Sequence, residues 1–134
     1  MPMPSLPEPH RISPREAALM TVLLVRVFQE DRGKATTRAR VSLRTLRRLS
    51  GRGALRSIFI QEWTEELADL GWHAFPLEEH FAIIKDDAVS TWPSIAARRI
   101  EDEIEKAKRG DVKALRALER DLIAEREAED EADD

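Results

Sequence analysis

The segment from Ser13 to Gly33 constrains this chain most, because it can hardly be anything but a helix and everything after it must pack around it. Ser13-Pro14-Arg15-Glu16 supplies an N-cap serine, a proline at the first helical position and a glutamate placed to close a capping box. Met20, Leu23, Leu24, Val27 and Phe28 then recur at three-and-four spacing, and Val22 and Val25 widen the stripe until the helix is apolar nearly all round. Such a helix is expected at the centre of the core, with Gly33 ending it. Its longest apolar run, Ala17 to Val25, is broken by Thr21 and closed by Arg26, far short of the roughly 20 residues that cross a bilayer. No small-x-small cleavage site follows in Arg26-Val27-Phe28-Gln29-Glu30, so it does not read as a secretion signal either. The expectation is a cytoplasmic protein with no membrane partner.

With 134 residues, 42% of them apolar, there is material for one small core, and with no cysteine that core must hold by packing alone. Four of the seven prolines fall in residues 1–12, which read as a disordered arm. Downstream of Gly33, Thr36 to Val41 alternates weakly as a strand would, and Ser42 offers a second N-cap. Leu43, Leu46 and Leu49 predict a two-turn helix with Arg44, Arg47 and Arg48 on its other face, broken by Ser50-Gly51-Arg52-Gly53. A longer helix follows from Ala54 to Leu70 on Leu55, Ile58, Phe59, Trp63 and Leu67, closed at Gly71. Trp72 to Leu77 and Phe81 to Lys85 read as a β-hairpin with Glu78 and Glu79 at its tip. Residues 93–124 read as a helical hairpin, turning at Gly110, and residues 125–134 as a disordered tail with seven acidic groups and one arginine.

Net charge is -4, a sum that hides opposed blocks. Residues 32–56 carry nine cations and no anion: Arg32, Lys34, Arg38, Arg40, Arg44, Arg47, Arg48, Arg52 and Arg56. Solvated faces normally intersperse both signs, so a block of this kind points to a polyanion held through counterion release. Arginine's planar fork suits phosphate and guanine, although arginine outnumbers lysine 17 to 5 throughout the chain and the preference is not confined to this block.

The order helix, extended segment, short helix, glycine turn, longer helix and hairpin, over roughly Ser13 to Trp92, resembles the winged helix-turn-helix domain. The resemblance is carried by Leu43-x-x-Leu46-x-x-Leu49 before the Ser50-Gly51-Arg52-Gly53 turn, by Leu67-x-x-Leu70-Gly71-Trp72, and by the hairpin just after; it is a pattern of elements, without a signature motif. It implies a mainly α fold with a small antiparallel β-hairpin, followed here by the C-terminal helical hairpin. It also implies a double-stranded DNA partner, with the start of the 54–70 helix in the major groove and the arginine helix across the phosphates. Residue by residue, Arg52, Arg56, Ser57 and Gln61 are then expected to contact base edges, and Arg38, Arg40, Arg44, Arg47 and Arg48 to contact phosphates. Farther along, the long helix turns acidic at Glu65, Glu66 and Asp69, so only its beginning is compatible with DNA. The wing departs from its basic relatives in carrying Glu78 and Glu79.

Regulators of this fold commonly pair through helices outside the reading motif, which implies a homodimer through Ile100, Ile104, Leu115, Leu118 and Leu122. Some winged-helix domains dock proteins instead, so a protein-interaction module whose basic face meets an acidic partner is the alternative. Rival sites are thin. His73 and His80 flank the hairpin tip beside Glu78 and Glu79, but no metal-ligand spacing exists, and no serine has a glycine elbow or a nearby histidine. The single Gly51-x-Gly53 lacks the lysine of a phosphate loop. No cofactor, metal or catalytic set is expected, and the three tryptophans are expected in or at the edge of the core.

Overall fold

The computed structural model describes residues 10–132. These form a mainly helical structure of six helices with one small three-stranded antiparallel sheet, and fall into two units that divide after Trp92.

In the first unit, helix α1 (Pro14–Arg32) starts as its sequence dictates. The Ser13 hydroxyl accepts from the Glu16 amide, the Glu16 carboxylate accepts from the Ser13 amide, and Gly33 ends the helix at φ 68°, a value that glycine reaches without strain. Strand β1 (Arg38–Ser42) leads directly into α2 (Leu43–Ser50), where the Ser42 side chain accepts from the Thr45 amide. Gly51, at φ 65°, closes α2. Helix α3 (Ser57–Asp69) starts three residues later than expected, because Gly51 to Arg56 are spent on the turn; Arg56 is its N-cap residue, and no side chain caps it. Strands β2 (Trp72–Pro76) and β3 (His80–Lys85) and the single turn α4 (Asp86–Val89) complete the unit.

The expected two-stranded hairpin is one part of a larger sheet of order β1-β3-β2, since β1 pairs with β3 from Arg38 opposite Ile84 to Ser42 opposite His80. The weak alternation of residues 36–41 thus marks a true edge strand. Alternation sends Val41, Phe81, Ile83 and Trp72 inward, where they meet Ala17, Ala18, Val25, Leu46, Phe59, Trp63 and Leu67 of the helices. Trp63 sits at the middle, fully buried, its indole N–H donating to Thr21 Oγ1 at 3.2 Å and its ring edge-on to Phe81 at 5.1 Å. Trp72 is also buried, whereas Trp92 is 56% exposed and departs from the expected core placement.

The centrality of α1 needs correcting in one respect. Small residues, Ala17, Ala18, Thr21 and Val25, make its buried face, while Leu19, Met20, Leu23, Leu24, Val27 and Phe28 remain open to solvent. Residues 1–9 of the proline-rich arm lie outside the described residues, but its end is built into the fold: His10 Nε2 stands 2.8 Å from a Glu16 carboxylate oxygen, and Ile12 packs against the core.

In the second unit, a 3-10 turn (Ala97–Ile100) precedes α5 (Glu101–Lys108), and α6 runs over Lys113–Ala132. The two helices touch little, so the expected helical hairpin is not packed along its length, and neither helix has a buried residue. Helix α6 continues through residues 125–132 of the segment expected to be a disordered tail. That stretch alternates Glu and Asp with Ala and Arg and has no glycine or proline, so local propensity carries the helix onward. Asp133 and Asp134 lie outside the described residues. No helix among the described residues is long and apolar enough to cross a membrane.

Candidate nucleic-acid interface

The arginine block is laid out by three elements, and the structure sorts its members into different jobs. Helix α2 buries Leu46 and half-buries Leu43 and Leu49, which turns Arg44, Arg47 and Arg48 outward. None of the three makes an ion pair or side-chain hydrogen bond among the described residues. At the start of α3, Arg56, Ser57 and Gln61 are exposed; Gln61 donates to Glu65 at 3.3 Å. The α3 first turn lacks a side-chain cap, so its free amides and the positive end of the helix dipole face the same region as Arg56.

Arg52 does not join them as a free base-reading group. Its guanidinium donates to the Ile12 carbonyl at 2.8 Å and the Ser50 carbonyl at 3.1 Å and stacks on the Phe59 ring at 4.0 Å. It ties the turn before α3 to the chain before α1. The sequence offers no partner for this residue within helical spacing, which is why it reads there as surface.

Arg38 and Arg40 also separate from the others. Ala39 and Val41 point to the helices, so alternation sends Arg38 and Arg40 to the opposite side of the sheet, across from Ile84 and Ala82. There they line a shallow groove with Phe75, Ala82, Ile84 and Trp92, and Phe75 and Trp92 are both about half exposed. The five arginines expected on phosphates are therefore three on α2 and two on the outer sheet face.

A residue missed by sequence reasoning is Arg11. It lines the groove at the α3 start together with Arg52, Arg56, Ile58 and Glu62, although it belongs to the segment read as a disordered arm. Ile58, expected on the apolar stripe of α3, is 60% exposed in the same groove. The acidic end of α3 is screened by α1: Arg15 donates to Glu66 at 3.0 Å and to Asp69 at 2.7 Å. Those bonds, to Asp69 first and then Glu66, raise the Arg15 pKa above its ordinary value.

The other candidate residues fall outside this region. His73 and His80 share the outer sheet face, but their rows lie four residues apart along β3, about 13 Å. His73 is paired instead with Asp86 at 2.7 Å. No cluster of metal-ligating side chains occurs among the described residues. Of the residues expected to dimerise, Ile100, Leu115, Leu118 and Leu122 are 47–58% exposed and Ile104 is half-buried, and Ile123 adds an exposed side chain beside them.

Compared with known proteins, the chain matches no protein family, no curated protein and no solved structure.

Proposed function

We propose that the chain is a non-catalytic, sequence-specific DNA-binding regulator of prokaryotic type, built on a winged helix-turn-helix unit and acting as a dimer. The observation that carries the reading is an uninterrupted cationic block whose Arg44, Arg47, Arg48 and Arg56 stand exposed and unpaired among the described residues, beside a helix start without a side-chain cap. The winged-helix part is supported by the element order α1, β1, α2, α3, β2, β3 and by the pairing of β1 with β3. In this reading Arg44, Arg47 and Arg48 neutralise phosphates, and Arg56, Ser57 and Gln61 reach base edges from the α3 start. Arg11 joins the phosphate set, and Arg52 supports Arg56 from behind.

The test is fluorescence anisotropy of the protein on random duplex DNA and on the DNA upstream of its own coding sequence, at several salt concentrations. Tighter binding upstream, with a steep salt slope, is the expected result. Arg56→Ala should relax base preference by about 1–3 kcal/mol, whereas Arg47→Ala should weaken all duplexes alike and flatten the slope. Equal losses of both variants on every sequence would remove the assigned roles. No binding to either duplex at low salt would turn the arginine face toward an acidic protein partner, the reading also favoured by the carboxylates Glu78 and Glu79 at the hairpin tip.

A further inference from the structure

Helix α1 is inverted by size. The side chains that meet the core are Ala17, Ala18, Thr21 and Val25, and those that meet solvent are Leu19, Met20, Leu23, Leu24, Val27 and Phe28, each 40–55% exposed. A small rotation cannot repair this, because the setting is locked. Thr21 donates to the Ala17 carbonyl at 2.8 Å and accepts from Trp63 at 3.2 Å, both inside the core, and the fully buried Ala17 and Ala18 leave no room for a leucine in their place. The capping box at one end and Gly33 at the other fix the remaining freedom.

The open residues are ordered as well as numerous. They form two adjacent rows at i+4 spacing, Leu19-Leu23-Val27 and Met20-Leu24-Phe28, with a groove between them. Two such surfaces pack by setting the ridge of one helix into the groove of the other, the commonest mode of helix pairing. The same surface can serve as both partners when a two-fold axis passes near Leu23 and Leu24. Counting each of the six at no more than the roughly 200 Å² of an aromatic side chain, their 40–55% exposure leaves at most on the order of 500 Å² on one copy. That lies toward the upper end of the about 300–600 Å² found for the largest patch of a monomeric protein. Complete mutual burial by two copies would cover about 1,000 Å², the floor for a specific interface. Helix α6 offers less, a narrower seam of Leu115, Leu118 and Leu122 with Ile123, beyond which its sequence is charged.

We infer that α1 is the dimer interface, pairing antiparallel with α1 of a second copy of this chain, and that the leucines of α6 are not. The inference rests on the dimeric part of the function proposed above and is independent of duplex binding. It leaves the α3 start uncovered, while the Leu24 and Phe28 row borders a groove that β1 and Thr45 of α2 also line.

Light scattering after size-exclusion chromatography tests it on the full chain. The expected mass is twice 15.3 kDa for the natural sequence. The double variant Leu23→Glu/Val27→Glu should give a single chain, its dimer dissociation constant raised about a hundredfold or more, with an unchanged helical circular dichroism signal because both positions are exposed. A second readout adds no charge to the face: the chain has no cysteine, so Leu24→Cys provides one thiol, which a short bis-maleimide should join to its copy, while Ile58→Cys stays unjoined. A single-chain mass at every concentration into the millimolar range overturns the inference. So does a dimer that survives the α1 double variant and dissociates with Leu118→Glu/Leu122→Glu. A dimer that meets both expectations yet binds no duplex leaves the interface standing and removes only the DNA reading.

Discussion

Residues 10–92 and residues 93–132 carry apolar stripes of similar regularity, yet among the described residues every buried apolar side chain lies between Ala17 and Ile84. The first unit closes its stripes on one another, three helices against one face of a sheet, around Trp63. The second consists of α5 and α6 with no buried residue between them. A periodic stripe states that a surface needs cover; it does not state what supplies the cover. The same lesson holds inside the first unit, where α1 shows its larger side chains to the outside.

Removing one large side chain from each unit and following unfolding in urea separates the two most widely. Trp63→Ala removes a fully buried indole, its bond to Thr21 and its edge contact with Phe81, and is expected to cost about 3–5 kcal/mol. Leu118→Ala, at a side chain 52% exposed, is expected to stay within about 0.5 kcal/mol. A loss of core size at Leu118 would show that the second unit is covered in solution and that the contrast is not intrinsic to it.

A smaller effect separates two arginines of the same turn. Arg52→Ala loses two hydrogen bonds to carbonyls and the stack on Phe59, and should lower stability by about 1–2 kcal/mol. Arg56→Ala, exposed and unpaired among the described residues, should leave stability within about 0.5 kcal/mol and act on duplex affinity alone. If the two variants melt together, the support role of Arg52 is wrong.

These cases mark how far the sequence could be read. The α1 start, the α2 arginine face and the acidic tip of the hairpin were legible because each depends on residues within a few positions: a capping box, a three-and-four leucine pattern, a short connection. Three features were not, because each depends on a distant contact. Arg52 meets Ile12 across 40 residues, β1, itself legible as an extended segment, takes its place in the sheet by pairing with β3, and the rotation of α1 is set by Trp63 of α3. The late end of α6 is a different failure, since charge density suggested a solvated coil where the helix propensity of Glu, Ala and Arg sufficed.

The smallest effect tests the α1 start itself. The Glu16 carboxyl is held down from 4.5 to about 2, first by the Ser13 amide, then by His10 and by the Ser13 hydroxyl. A carboxyl depressed in the folded state contributes stability above its unfolded pKa and loses it as pH falls through the folded value. Glu16 should therefore support α1 in full above about pH 4.5, and the support should fade toward pH 2. Glu16→Gln keeps a side chain that can still close the capping box and removes only the titration. Melting curves of the two proteins should be separated by a constant small gap near neutral pH, because the site is open to water and well screened, and should converge as the pH approaches 2. A gap that persists undiminished in acid would mean that the contribution of Glu16 is steric or local to the amide bond, and that the charge at the α1 start is incidental to the anchoring of the preceding segment.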